Sequence, residues 1–94
     1  MSGKEQQQSD CQIVEEPVCL PPSILWLIND DVNTFEFVIE NLIELCGHTY
    51  EQAFQCALIT HYRGKCDILE GNYVKLTLIA HIMRRRGLTA EVTT

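Results

Sequence analysis

The apolar run 24–28 constrains the fold of this chain most strongly. Pro21 and Pro22 exclude a helix that continues from upstream, and the run is too short for a membrane span or for most helices. It is therefore predicted to be a buried strand. That strand carries a cluster of short polar side chains to the edge of the fold, namely Asn29, Asp30 and Asp31.

Length and charge limit the classes of protein to which the chain can belong. Its 94 residues are enough for one small domain with a single core. The net charge of −6 argues against general nucleic-acid binding, which needs clustered Lys and Arg to replace counterions. Cationic or neutral partners are expected instead.

The cysteines indicate the compartment. Five of them are present, an odd number without a C-x-x-C pair, and no signal peptide or transmembrane segment accompanies them. This pattern is typical of reduced thiols, so we expect a cytoplasmic protein that is not held at a membrane. They are Cys11, Cys19, Cys46, Cys56 and Cys66.

The first 22 residues differ from the rest in composition. They contain the Gln6-Gln7-Gln8 run, several acidic residues and all of the prolines, without a sustained apolar period. Such a segment cannot bury enough surface to offset the entropy of ordering. Residues 1–22 are therefore predicted to be a flexible arm, and residues 23–94 the core domain.

Helical periodicity and end signals predict three helices after the first strand. The first starts at Phe35 behind an N-cap at Asn33 or Thr34, and Gly47 stops it. The second begins after Thr49, which forms a capping box with Gln52. Its apolar stripe consists of Ala53, Phe54, Ala57, Leu58 and His61, and Gly64 ends it.

A short strand at 65–69 precedes the third helix, which starts near Asn72 and carries Leu76, Ile79, Ala80 and Met83 on one face. The basic triplet 84–86 and Gly87 close this helix, because cations suit a helix C-terminus. A basic triplet is also compatible with an acidic partner. Residues 89–94 are predicted to form an edge strand.

The order β-α-α-β-α-β predicts a single compact α/β (α+β) sandwich with three helices packed on a three-stranded sheet.

The polar groups suggest a binding site. His61 lies on the last turn of the second helix, on the face that also carries Ala57 and Thr60. If this helix packs beside the strand end, a carboxylate, an amide and an imidazole meet next to an apolar depression. A buried ammonium group needs such acceptors, and the depression suits an apolar side chain on the same amine. The first residue of a polypeptide presents both.

Three motifs in a fixed order carry a close resemblance to a known family. They are Asn29-Asp30-Asp31, Glu36-Phe37-Val38 and His61-Tyr62-x-Gly64-Lys65. Over residues 21–92 the chain resembles the ClpS family, adaptors of the ATP-dependent Clp protease. These adaptors bind proteins that bear a destabilising N-terminal residue and hand them to the AAA+ unfoldase.

The resemblance implies roles for particular residues. The substrate α-amino group would be held by Asn29, Asp30, Asp31 and His61. The pocket for the first side chain would be lined by Leu27, Asn33, Phe35, Val38, Ala57, Thr60 and Leu88. Glu70 and Lys75 match the Glu-x4-Lys spacing of the contact with a ClpA- or ClpC-like unfoldase, and the arm would assist transfer. A monomer without a catalytic residue, metal or other cofactor is expected.

The chain departs from the family pattern within the pocket. It has Asn33-Thr34-Phe35 where the family commonly has Thr-Pro-Met, Ala57 in place of a pocket-gating Met, and Thr60 in place of Val. Its third helix is also shorter. The changes in the pocket predict an altered preference among Phe, Leu, Tyr and Trp as the first residue, with tolerance of Ile or Val.

Other interpretations of the same residues stay open at this point. The polar cluster can cap the first helix, and His61 can be a core or helix-end histidine. The fold can serve as a docking module with a degenerate pocket. A hydrolase using Asp30 or Asp31 with His61 lacks a recognisable Ser or Cys nucleophile. A zinc site has soft ligands without the usual spacing, and its candidate ligands are Cys46, His48, Cys56, His61 and Cys66.

Overall fold

Six secondary-structure elements follow one another in the predicted order. The computed structural model describes residues 21–94, so all but the last two residues of the predicted arm lie outside the described part. The elements are β1 (Ser23–Ile28), α1 (Phe35–Cys46), α2 (Tyr50–Arg63), β2 (Lys65–Gly71), α3 (Tyr73–Arg85) and β3 (Thr89–Thr93). The predicted fold class, three helices packed on a three-stranded sheet, is confirmed.

The sheet is antiparallel, with β1 between β2 and β3. Leu25 and Leu27 of β1 face the core and are almost fully buried, whereas Ile24, Trp26 and Ile28 alternate with them and are half-buried. This alternation is typical of a sheet covered on one face. Because β1 is the central strand, its last residues leave the sheet between the ends of two neighbours.

The strand β2 is longer than predicted. It extends to Gly71 rather than 69, because Glu70 and Gly71 pair with Ile24 and Ser23 at the start of β1. The register shifts between Leu25 and Trp26. A β-bulge of this kind adds a residue to one strand and leaves its partner unchanged.

Side-chain caps set the helix ends. The Thr34 hydroxyl accepts a hydrogen bond from the Phe37 backbone N–H at 3.1 Å, so Thr34 is the N-cap of α1. At α2 the predicted capping box forms, since Thr49 and Gln52 bond each other's backbone N–H groups. Among the described helices, none combines the length and apolar character needed to cross a membrane.

The helices cover the sheet with the predicted face of α3, but the face of α2 differs. The buried side chains of α3 are Leu76, Ile79, Ala80 and Met83, as predicted. On α2 the buried residues are Ala53, Ala57 and Thr60, while Phe54 is 36% exposed. Phe54 follows Ala53, so it lies about 100° further around the helix. The small residues let α2 approach the core closely, and the larger ring remains at the edge.

Two members of the basic triplet are used within the fold. Arg84 donates from Nε to the Ala90 carbonyl at 2.9 Å. Arg86 donates to Oδ1 of the buried Asn41 at 2.8 Å and pairs with both carboxylate oxygens of Glu44. These contacts tie the end of α3 to β3 and to α1, which favours a structural role for the triplet.

Candidate functional site

The turn after β1 is built around the Asp30 carboxylate. Its Oδ1 accepts hydrogen bonds from the backbone N–H groups of Val32 and Asn33 at 3.1 and 3.2 Å, and from the Asn33 side-chain amide at 3.0 Å. Its Oδ2 accepts from the same amide and from the Thr89 hydroxyl at 3.3 Å. Asn33 also donates to the Gly87 carbonyl at 2.9 Å. Asp30 therefore joins the end of β1 to the start of β3.

These contacts decide the charge state of Asp30. Its partial burial acts to raise the pKa, but the hydrogen bonds from Val32, Asn33 and Thr89 outweigh this effect, so the pKa lies below its usual value. The carboxylate is ionised at neutral pH with both oxygens engaged inside the protein. Its neighbours Asn29 and Asp31 are exposed at the same strand end.

A backbone hydrogen bond joins this strand end to the end of α2. The Asn29 N–H donates to the Gly64 carbonyl at 2.8 Å. Gly64 ends α2 in the left-handed conformation, with φ of 94°, and its N–H bonds the Thr60 carbonyl. A side chain is unfavourable at this φ, so a glycine suits the sharp return from α2 to β2. The bond holds the last turn of α2, which carries His61, beside Asn29.

A cavity of about 230 Å³ opens between the strand end, α1 and α2. Its lining includes every residue predicted to hold the amino group and every residue predicted for the side-chain pocket. Ile28, the last residue of β1, belongs to it as well and was not predicted. The lining residues are Leu27, Ile28, Asn29, Asp30, Asp31, Asn33, Phe35, Val38, Ala57, Thr60, His61 and Leu88.

The deep part of this cavity is apolar. Leu27, Ala57 and Leu88 are nearly fully buried, and Phe35 and Val38 are half-buried. Thr60 donates its hydroxyl proton to the Cys56 carbonyl at 2.7 Å, one turn back along α2. The only donor of the Thr60 side chain is therefore satisfied by the helix backbone, and the cavity wall formed by α2 keeps a mainly apolar character.

The rim carries the imidazole of His61 between two aromatic rings. Phe35 meets it edge to face with ring centroids 5.7 Å apart, and Tyr62 does so at 5.0 Å. Such contacts restrict how the ring can turn. His61 is exposed at the mouth, so the core-histidine interpretation does not describe it.

Glu70 and Lys75 lie away from the cavity. Glu70 is near the end of β2 and Lys75 is in the first turn of α3, and both are exposed. Between them Asn72 caps α3, because its side-chain oxygen accepts from the backbone N–H groups of Val74 and Lys75. The two charged residues thus flank one tight connection at the surface.

Of the five candidate zinc ligands, only His61 lines the cavity, and the others are buried or half-buried elsewhere. Burial raises the pKa of Cys46 to about 11 and that of Cys66 to about 12, and it raises the pKa of Cys56 as well. His48 has Nε2 only 2.7 Å from the Ile68 carbonyl oxygen. Within residues 21–94, no group of three or more His, Cys, Asp or Glu side chains is arranged to hold a metal ion.

The fold and this site define a small α/β domain with an apolar cavity whose mouth is acidic. The family model described as ATP-dependent Clp protease adaptor protein ClpS matches residues 22–91, and the chain belongs to this family. The resemblance seen in the sequence is confirmed. The family is named for an adaptor of the protease and not for the protease itself.

Individual relatives agree with this assignment. The chain is similar to the ATP-dependent Clp protease adapter protein ClpS of Enterobacter sp. (strain 638), at 39% identity over 70 residues, which are 69% of this chain and 66% of the relative. For the protein of that name from Neisseria meningitidis serogroup B the identity is 40% over 62 residues, 64% of this chain and 61% of the relative. The matches thus span just under two thirds of these relatives.

A solved structure supports the fold. The structure of Agrobacterium tumefaciens ClpS2 bound to L-phenylalaninamide superposes with a TM-score of 0.71 and covers 78% of this chain and 95% of that chain. The sequence identity is 16%. At this identity the likeness concerns the fold, and the site has to be argued from this chain's own residues.

Proposed function

We propose that this protein is an adaptor that binds other proteins through their N-terminal residue and delivers them to a Clp AAA+ unfoldase. One observation carries the proposal. Acidic, amide and imidazole groups surround the mouth of an apolar cavity at the end of β1. This pairing suits a ligand with a cationic amine next to an apolar side chain.

The amino group of such a ligand requires acceptors. An ammonium group has three N–H donors and loses hydration when it enters the site. Asp31 supplies negative charge, the side-chain oxygen of Asn29 supplies an acceptor, and neutral His61 accepts through one ring nitrogen. Asp30 acts here as the residue that holds the turn, and its ionised carboxylate adds to the negative field.

The side chain of the first residue would enter the apolar part of the cavity. The volume of about 230 Å³ exceeds the roughly 150 Å³ that is sufficient to hold a benzene molecule. Each methylene buried there contributes about 0.8 kcal/mol. L-Phenylalaninamide, the ligand of A. tumefaciens ClpS2, combines an amine with an aromatic side chain and is a suitable test ligand.

The preference of the cavity for particular N-terminal residues should depend on the unusual composition of its wall. Ala57 leaves space on α2 that a longer side chain would occupy, and Phe35 adds an aromatic surface beside His61. We therefore expect Phe, Leu, Tyr and Trp to bind in an altered order, and Ile or Val to be tolerated. The usual four-residue preference with rejection of Ile and Val would contradict this expectation.

Fluorescence anisotropy with labelled peptides that differ only in residue one tests the proposal. Peptides that begin with a large apolar residue should bind, and acetylation of the amine should weaken binding by about 10- to 100-fold, because charge-assisted hydrogen bonds are lost. Equal binding of the acetylated peptide would remove the amine from the mechanism. Equal binding of a peptide that begins with Gly would remove the side-chain pocket.

Variants identify the groups that contact the amine. Asp31→Asn and His61→Ala should weaken the free-amine peptide and leave the thermal transition nearly unchanged. His81→Ala is the matched control, because His81 is exposed on α3 and does not line the cavity. If His61→Ala lowers stability without lowering affinity, His61 has a structural role.

Delivery depends on a second surface, for which we propose Glu70 and Lys75. The double variant Glu70→Ala, Lys75→Ala should bind peptides normally but show weaker capture by immobilised ClpA- or ClpC-type unfoldase. The double variant Glu40→Ala, Arg85→Ala removes one exposed acid and one exposed base elsewhere and serves as the control. Equal capture of both double variants would place the unfoldase contact on another surface.

A further inference from the structure

Aromatic rings continue outward from the cavity along α2. Phe35, at the cavity wall, meets Phe54 edge to face with ring centroids 6.4 Å apart. Phe54 in turn stacks on Tyr50, with centroids 6.3 Å apart and planes 16° apart. We call Phe35, Phe54 and Tyr50 the aromatic ladder.

The outer part of this ladder is open to solvent. Tyr50 is 59% exposed and Phe54 is 36% exposed, and neither lines the cavity. Single exposed apolar residues are ordinary on a protein surface. Here the exposed rings touch each other and also touch a wall of the binding site, and contiguous apolar surface of this kind often marks a place where another molecule packs.

The spacing of the rings fits an extended peptide. Alternate side chains of an extended chain point to the same side and lie about 6.6 Å apart. The steps of the aromatic ladder are 6.4 and 6.3 Å. If the first side chain of a bound peptide fills the cavity beside Phe35, the third and fifth point the same way, whereas the second and fourth point away.

We propose that the aromatic ladder is a second subsite, which binds apolar side chains at positions three and five of the substrate. The third side chain packs on Phe54 and the fifth on Tyr50. This inference rests on the proposed function, because the occupied cavity fixes the start of the peptide. We assign the bound substrate peptide as the occupant because the aromatic ladder is continuous with the cavity and because its steps match the side-chain repeat of an extended chain.

Peptides of identical composition test the inference. Each begins with a free Phe and is otherwise Gly and Ser, with a single Leu at position two or at position three. The peptide with Leu at position three should bind about three- to tenfold more tightly, as expected for partial burial of one apolar side chain. Phe54→Ala should abolish this difference, whereas Leu78→Ala, which removes an exposed apolar side chain on α3, should preserve it.

The outcomes separate this inference from the proposed function. Equal affinities of the two peptides, with acetylation still weakening both, would overturn the second subsite and leave the N-terminal pocket in place. Loss of the acetylation effect would overturn the pocket itself. Should Phe54→Ala fail to fold, Tyr50→Ala with Leu at position five or position four gives the same comparison, and equal affinities there overturn the inference.

Discussion

Asp30 and Asp31 are adjacent in the chain but have different surroundings. Asp30 accepts hydrogen bonds from two backbone N–H groups and from the side chains of Asn33 and Thr89. Asp31 is exposed at the mouth of the cavity. The first carboxylate therefore organises the turn that presents the second.

This difference predicts opposite effects of the same substitution. Asp30→Ala should lower the free energy of unfolding by about 1–3 kcal/mol, because the turn loses the charged acceptor of several hydrogen bonds. Asp31→Ala should change it by no more than about 0.5 kcal/mol. Urea denaturation of the two variants measures both values, and equal losses would contradict the assignment.

The pH dependence of stability provides a second test of the role of the Asp30 carboxylate. Because the pKa of Asp30 is lowered in the folded state, its contribution to stability is present above the ordinary carboxyl pKa, about 4, and is lost as the pH falls through the lowered folded-state pKa. The stability difference between the unsubstituted protein and Asp30→Ala should therefore narrow below about pH 4. A difference that does not depend on pH would mean that the charge of Asp30 is not involved.

At the level of elements, the junction of α2 and β2 fixes the relation between the histidine and the strand end. Gly64 both ends α2 with a positive φ and accepts the Asn29 N–H. A change in the backbone at this residue would move the last turn of α2 relative to β1. The geometry of the site thus depends on a residue that acts through its backbone alone.

Substitution of glycine by alanine tests this junction. Gly64→Ala should cost about 1–2 kcal/mol, because an L-residue is strained in the left-handed region, and it should also weaken peptide binding. Gly71→Ala is the matched control, since Gly71 has no positive φ and open space around its Cβ position. Similar unfolding midpoints for the two variants would show that the φ of Gly64 adapts without strain.

The sequence predicted the element order well because the end signals are local. Thr49 with Gln52, Gly64 and Asn72 act within a few residues of the helix ends that they define. The upper end of β2 was missed, since it depends on pairing with β1. The aromatic ladder was missed as well, because its rings come from two helices and the pattern of α2 assigned Phe54 to the core.

The residues of the candidate site could be predicted from the sequence about as well as the order of the secondary-structure elements. Its residues could be carried over from a family, and the strand end and the last turn of α2 were recognisable in the sequence. The structural role of Asp30 in the turn could not be predicted. Thr89 is distant in the chain, and its hydrogen bond to Asp30 depends on the position of β3. Ile28 was overlooked although it directly precedes the polar cluster.

Within residues 21–94, the fold of the whole domain favours the neutral form of the Cys46, Cys56 and Cys66 thiols. Burial raises the pKa of Cys46 to about 11 and of Cys66 to about 12, above the ordinary value near 8.5. Since the folded-state pKa values are raised, this contribution to stability is complete below the unfolded-state pKa and is lost as the pH rises through the folded-state values. The free energy of unfolding should therefore fall between about pH 9 and pH 11.

Urea denaturation under reducing conditions at several pH values measures this fall. The double variant Cys46→Ala, Cys66→Ala is less stable at neutral pH, because it loses buried groups, but its stability should decline less steeply above pH 9. All other ionisable residues are common to both proteins and cancel in the comparison. Parallel curves would assign the alkaline loss to those residues.

The central position of β1 has a further consequence. Edge strands fray first in thermal fluctuations, whereas a strand with neighbours on both sides separates only when the domain opens as a unit. The Asn29 amide extends that protected region to the rim by its bond to Gly64. The groups proposed to bind the amine are thus attached to the central strand of the sheet, and we expect their arrangement to persist until global unfolding.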